Sequence, residues 1–314
     1  MKHARVLVTG ARGFIGRHTL LPLLARGCEV HAVMLAPSST QQANDEATVH
    51  WHKCDLLDER AVWQLMREVA PTHLLHFAWY VEHGKFWQSP MNEVWLRATV
   101  QLMCAFVAQG GQRFVGAGTC AEYDWTGDGL CEEQTTPLKP VTPYGQAKLD
   151  TWEAVRAIAH AYRISAAWGR VFHVYGPGEA HSRLVASIIL ALLHGQPAKC
   201  THGEQVRDLT YVADVAHAFV ALLDSDVQGT VNIGVGEPHP LKTTMLEIGQ
   251  QMGKAQDIVL GTIPLGPQEP KLLAPNTARL NNEVGWRSRF SLIEGIRQTI
   301  QWWMEEDKQH ENHN

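Results

Sequence analysis

Short apolar runs alternate with helical patterns through the first half of the chain. Val6-Leu7-Val8 leads into Thr9-Gly10-Ala11-Arg12-Gly13-Phe14-Ile15-Gly16, and an amphipathic helical pattern follows to Ala25. Further strands are expected at Glu29–Met34, from His50 to Asp55, from His73 to Ala78 and at Arg113–Thr119. A mainly helical segment carrying Trp79, Trp87 and Trp95 separates the last two, and its indoles are expected in the core. Leu149, Trp152, Val155, Ile158 and Ala159 then recur at helical spacing behind Thr142-Pro143-Tyr144-Gly145-Gln146-Ala147-Lys148. A last helix is expected over Leu292–Met304, and the polar tail from Glu305 to Asn314 is expected to fray. Strand, turn and helix in this alternation predict an α/β protein.

The 314 residues suffice for one large α/β domain or two interlocked ones. A formal net charge of −5 gives no reason to expect nucleic acid or an anionic membrane as partner. The six cysteines include no C-x-x-C pair and read as reduced thiols. Strand-forming residues begin directly after Met1-Lys2-His3-Ala4-Arg5, and no apolar run approaches the ~20 residues of a membrane span. A soluble, cytoplasmic protein is expected.

Glycine spacing between a strand and a helix points to dinucleotide binding. Gly10 permits a tight turn, Gly13 lets backbone approach a pyrophosphate, and Gly16 lets helix meet strand. Phe14 and Ile15 within the turn, Asp55 and Leu56 at the end of the third strand, and Ala78 at the end of the fourth complete the expected cofactor contacts. The second strand ends in Val33-Met34-Leu35-Ala36, without the carboxylate that would repel a 2′-phosphate. Arg12 and Ser38-Ser39 could receive that phosphate, so NADP(H) is favoured over NAD(H). His50 and His52 share a strand face, but no further ligand stands at a metal-binding spacing, and no metal is expected. Thr119 stands at the carboxyl end of its strand, where open α/β sheets bind ligands. Tyr144 and Lys148, four apart, share a helix face; the ammonium is expected to lower the phenol's pKa so that Tyr144 can exchange a proton with an alcohol or carbonyl.

With T-G-x-x-G-F-I-G, Thr119 and Y-x-x-x-K together, the chain resembles the extended short-chain dehydrogenase/reductases that act on nucleotide sugars as epimerases, dehydratases and 4-ketoreductases. Gly169-Arg170-Val171-Phe172-His173-Val174-Tyr175-Gly176-Pro177, Arg207-Asp208-Leu209-Thr210-Tyr211-Val212-Ala213-Asp214-Val215, the segment from Val231 to Pro238 and Gly285-Trp286 extend the match. The resemblance implies a Rossmann-like doubly wound parallel sheet over residues 1–172 that holds the cofactor. It implies a smaller lobe, mainly residues 173–314, that holds a nucleotide diphosphate sugar and sends some segments back to the sheet. It assigns Thr119, Tyr144 and Lys148 to catalysis and places Phe172 and His173 beside the nicotinamide. Arg207 would contact the diphosphate, with Arg183 also on the substrate side, and Asp214 would fix a helix start. Glu122 and Asp124, flanking Tyr123, are unusual for the family; Glu122 and Tyr123 are candidate substrate contacts, with hydrogen bonding of the carboxylates within the loop as the alternative. A homodimer through the Tyr144 helix and its preceding neighbour is implied as well.

Departures from the family pattern narrow the reaction. Dehydratases follow the strand-end Thr with Asp-Glu, whereas Cys120-Ala121 stand here. Ala121 also replaces the cysteine that 3,5-epimerising members carry, and Trp95 stands where the family often has Asn. The expected activity is NADPH-dependent reduction of the C4 ketone of a nucleotide-linked 4-keto-6-deoxy sugar. The alternatives are an NAD-dependent 4-epimerase and, from another class, a non-catalytic dinucleotide sensor.

Overall fold

A computed structural model of the chain describes residues 1–35, 48–127, 129–266 and 269–311. Its centre is a sheet of β1 (Arg5–Thr9), β2 (Glu29–Met34), β3 (Val49–Lys53), β4 (His73–His76), β5 (Arg113–Thr119), β6 (Ser165–Val171) and β7 (Gly229–Ile233). Every neighbouring pair is parallel, and the spatial order is 7-6-5-4-1-2-3. The winding reverses between β1 and β4, which opens a crevice at the carboxyl edge where such sheets bind ligands. The fold is the expected Rossmann-like doubly wound sheet.

The helices are α1 (Leu20–Ala25), α2 (Glu59–Val69), α3 (Met91–Ala108), α4 (Pro143–Tyr162), α5 (Leu184–Leu193), α6 (Val212–Asp224), α7 (Leu241–Gln251), α8 (Ala278–Asn282) and α9 (Leu292–Glu311). Alternation along β1 divides them into layers: Val6 and Val8 pack with Leu23 and the apolar side of α6, while Leu7 packs with α2, α3 and α4. Burial on both faces explains why the central strands read as nearly continuous apolar runs. Residues beyond 172 return to the sheet as α6 and β7.

The strands expected to reach Asp55 and Ala78 stop at Lys53 and His76. Asp55 turns the chain by accepting from Leu57 N at 2.9 Å, and Ala78 N points to the Thr9 hydroxyl at 3.4 Å instead of continuing the ladder. In the second lobe, α5, α7 and α9 enclose an apolar cluster that includes Ile189, Ile248, Ile296 and Trp303. Beside it Val206–Arg207 pairs with His239–Pro240 on one side and Leu272–Leu273 on the other. The tail expected to fray from Glu305 instead continues α9 to Glu311. Trp303 anchors the helix in the cluster, and His194 Nε2 meets Asp307 Oδ1 at 3.1 Å.

Candidate active site

Local sequence sets the start of α4. Thr142 is extended and accepts from Gly145 N at 3.1 Å, and Pro143 occupies the first turn, where its missing N–H costs no bond. The helix packs on α3 and on the 3-10 turn Cys120–Glu122 that follows Thr119. Gly145 makes that approach feasible: a Cβ there would lie 2.2 Å from the Ala121 carbonyl oxygen. The close packing brings Tyr144 to Thr119, which acts directly on its phenol.

Thr119, Tyr144 and Lys148 are all buried. Lys148 Nζ donates to the Ala117 carbonyl at 2.8 Å and lies 3.9 Å from the Trp79 ring centroid. Burial lowers its pKa to about 7, with the Glu122 charge pulling the other way. Burial pushes the Tyr144 phenol above its ordinary 10.0, opposed by the Thr119 hydroxyl. The sequence expectation was the reverse, a phenol brought down by Lys148. It fails because the phenol itself is buried, and desolvation dominates it.

Aromatic side chains wall the phenol. Phe86 and Trp87 stand edge-on to Tyr144 with centroids 4.8 and 5.6 Å away, and Trp125 donates from Nε1 to the Cys120 carbonyl at 2.9 Å. Trp79 is core, as expected, and donates to Asn92 Oδ1 at 3.0 Å. Trp87, expected in the core, is 36% exposed beside Tyr144. Asn92 also donates to the Phe86 and Ser89 carbonyls and so fixes the turn that carries Trp87.

At the crevice, Gly10 has φ +66°, and a Cβ on it would fall 2.7 Å from Ala78 N; one on Gly16 would fall 2.2 Å from Gly10 O. The turn is thus a bare-backbone cradle at the sheet's carboxyl edge, and it fits a pyrophosphate. Phe14 and Ile15 are half-buried in it, while Leu56 and Ala78 are buried and Asp55 exposed at the ends of neighbouring strands. Arg12 stacks its guanidinium 5.0 Å from the Trp51 ring centroid. Leu35 follows β2; Ala36 and Ser38-Ser39 lie outside the described residues. His31 Nδ1 meets His52 Nε2 at 2.8 Å, and its ring stacks on His50. Among the described residues no group of three or more His, Cys, Asp or Glu could hold a metal ion.

The predicted substrate contacts divide. Glu122 and Tyr123 are both 0% exposed and turn inward. The Glu122 carboxylate bonds to Thr119 N, Trp168 Nε1 and Arg170 Nε, and the Tyr123 hydroxyl donates to Asn232 Oδ1 at 2.7 Å. Neither reaches the cleft, which corrects their assignment as substrate contacts. Arg207, expected to face a diphosphate, is 2% exposed. It donates to the Glu269 carboxylate and to the Pro270 carbonyl at 2.8 Å. A ligand would have to displace Glu269 to reach it.

Arg183 precedes α5, 6.0 Å from the Phe14 ring centroid, and acts electrostatically on Tyr144. Phe172 is buried with Cys120, Tyr123 and Leu273. His173 has an unpartnered buried Nδ1; burial and the charges of Arg207 and Arg183 lower its pKa to about 3. Asp214 lies in the first turn of α6 but caps elsewhere, accepting from Arg289 N and Phe290 N just before α9.

Residues 6–234 match the sequence profile of the NAD dependent epimerase/dehydratase family. The chain belongs to this family. With it the chain joins the enzymes of the extended short-chain dehydrogenase/reductases. The dTDP-glucose 4,6-dehydratase of Xanthomonas campestris pv. campestris is 25% identical over 324 residues, covering 95% of this chain and 92% of that one. Among solved structures, the Thermus thermophilus UDP-glucose 4-epimerase complex with NAD is 29% identical with a TM-score of 0.84, covering 95% and 98% of the two chains. MoeE5 in complex with UDP-glucuronic acid and NAD is 27% identical, with a TM-score of 0.80 and coverage of 96% and 99%. The family is NAD-dependent. After Thr119 this member has Cys120 and Ala121, which are 9% and 2% exposed and carry no carboxylate. No helix among the described residues is long and apolar enough to cross a membrane.

Proposed function

We propose that the chain is a nucleotide-sugar 4-epimerase that oxidises a C4 hydroxyl to a ketone and reduces it again on the other face. The observation that carries this reading is the meeting of Thr119, Tyr144 and Lys148 beside the glycine cradle, with no acid–base pair at Cys120-Ala121 to drive elimination of water. Residues 1–172 would hold the dinucleotide and residues 173–314 mainly the nucleotide diphosphate sugar. Gly10, Gly13 and Gly16 would receive the pyrophosphate, with Asp55, Leu56 and Ala78 toward the adenosine and Phe172 and His173 toward the nicotinamide. When bound, the nicotinamide supplies the acceptor and donor of hydride. Thr119 would hydrogen-bond the C4 oxygen, and Tyr144 would take its proton as the phenolate, a form the Lys148 cation must stabilise against burial, and return it as the alcohol re-forms. Lys148 supplies the nearby cation and a donor toward the nicotinamide ribose. Arg183 would contact the substrate side.

A second reading, the NADPH-dependent 4-ketoreductase acting on a 4-keto-6-deoxy sugar, draws support from two features. No carboxylate stands at Met34-Leu35, and burial keeps Tyr144 protonated, the form that donates. The test is ¹H NMR of UDP-hexoses and dTDP-hexoses, with and without a C6 hydroxyl, incubated with the purified protein. The epimerase reading predicts interconversion of C4 epimers without added cofactor; reduction that requires NADPH supports the second reading. Tyr144→Phe should lower turnover ~10²–10⁴-fold with dinucleotide binding retained. Full turnover in that variant would remove Tyr144 from both schemes.

A further inference from the structure

The turn after Thr119 carries a charge that the proposed reaction does not use. Glu122 Oε1 accepts from Thr119 N at 2.9 Å and from Trp168 Nε1 at 2.9 Å, and Oε2 accepts from Arg170 Nε at 2.6 Å. Space for the carboxylate comes from Gly118: a Cβ there would lie 2.2 Å from Trp168 Nε1 and 2.6 Å from Glu122 Oε1. Gly118 is paired with Arg170 across β5 and β6, so strand register delivers the guanidinium to the carboxylate. An ion pair at 1% and 0% side-chain exposure is a poor stabiliser, because desolvating both charges costs about what their attraction returns. Its position suggests another use. The Trp168 indole donates to Glu122 along one edge, and the Lys148 ammonium lies 5.6 Å from the centroid of the same ring.

We propose that Glu122 is a positioning residue of the active site, whose carboxylate fixes the Thr119 backbone and supplies the negative charge opposite the Lys148 ammonium. The proposal rests on the catalytic reading of Thr119, Tyr144 and Lys148. The groups around Lys148 support it. His76 of β4 is buried between the hydroxyls of Thr9 at 2.7 Å and Thr99 at 3.0 Å, and burial lowers its pKa to about 3, so it brings no charge. Tyr144 of α4 is held neutral by burial, and Trp79 and Trp168 offer ring faces. Arg170 of β6 is engaged by Glu122 and lies 4.6 Å from the Tyr123 ring centroid. Glu122 is the charge that counters the burial of Lys148.

The test uses Glu122→Gln/Arg170→Met, which keeps an amide oxygen for Thr119 N and Trp168 while removing both charges. A second variant, Glu122→Asp, keeps the charge but withdraws it from Thr119 N. The first readout needs no turnover: protein labelled with ¹³Cε-lysine is titrated by NMR, with the Lys148 signal assigned by its absence in Lys148→Arg. In the double variant the Lys148 midpoint should fall by up to about one pH unit, because the lost Glu122 charge acts on Lys148 and the Arg170 charge lost with it offsets only part. From a starting value near 7, that shift lowers the charged fraction at neutral pH by up to roughly fivefold. Turnover should fall by the same factor, with KM unchanged, and recover as the pH is lowered. Glu122→Asp should keep the Lys148 midpoint and lose turnover at every pH. A folded double variant whose Lys148 titrates as in the wild type would overturn the proposal, as would full turnover in Glu122→Asp. Full turnover in Tyr144→Phe would sink the catalytic reading instead, whatever Lys148 does.

Discussion

Gly145→Ala separates the geometry of the site from its stability. The added Cβ would sit 2.2 Å from the Ala121 carbonyl oxygen, where ordinary contact begins at 3.4 Å. Both partners are backbone, one in α4 and one in the Cys120–Glu122 turn, so neither can rotate away. Relief requires the helix and the turn to part by about 1 Å, and a displacement of that size at a reacting group can cost ~10²-fold in rate. Overpacking of this kind typically costs about 1–3 kcal/mol. Replacing a helical glycine by alanine returns about 1 kcal/mol of propensity, so the net loss of stability should be modest. The expected signature is therefore a large fall in kcat with a small fall in Tm and unchanged dinucleotide affinity. Steady-state kinetics, thermal denaturation and cofactor titration on one preparation check all three. Wild-type kcat in Gly145→Ala would refute the claim that this contact sets Tyr144 against Thr119.

Other outcomes follow from burial of charge. Lys148 is depressed from 10.5 to about 7, so its contribution to stability is present above 10.5 and lost as pH falls through about 7. Lys148→Met should therefore improve Tm relative to wild type more at about pH 6 than at about pH 9, and thermal melts in matched buffers would show no such trend if Lys148 were solvated. Glu179, which accepts from Ala186 N at 2.9 Å, is raised by burial from 4.5 to about 7. Its contribution is present below 4.5 and lost as pH rises through about 7. Glu179→Gln should flatten the decline of Tm between about pH 5 and 7, and an unchanged slope would count against burial as the cause. A homodimer through α3 and α4 predicts twice the chain mass in sedimentation at micromolar concentration, and a single-chain mass there would exclude it.

The sheet was legible because its strands are buried on both faces and separated by turns with strong local chemistry; Glu29–Met34 and Arg113–Thr119 have the expected bounds. The start of α4 was legible for the same local reason, a capping Thr142 followed by Pro143. Tyr144 and Lys148 could be placed on one helix face from their spacing, but their electrostatics could not be read from it. The Lys148 ammonium is fixed by the Ala117 carbonyl and Trp79, 31 and 69 positions away in sequence, which the local pattern does not encode. For Glu122 the sequence left substrate contact and loop hydrogen bonding both open, and the Arg170 that holds it inward is supplied by strand register, which local sequence does not show. The pairing of Arg207 with Glu269 could not be read locally, because Glu269 arrives from a separate loop. Aromatic spacing alone did not distinguish Trp87 as a wall of the site from core, since it serves both.

The central claim is a hydride reaction at C4 in which the dinucleotide stays with the protein. Denaturing the purified enzyme, identifying the dinucleotide released and titrating the stripped protein with NADH and NADPH test it directly. One equivalent of NAD per chain is the predicted result. Protein that emerges empty and prefers NADPH would contradict the epimerase account in favour of ketone reduction, and protein that binds neither dinucleotide would contradict both.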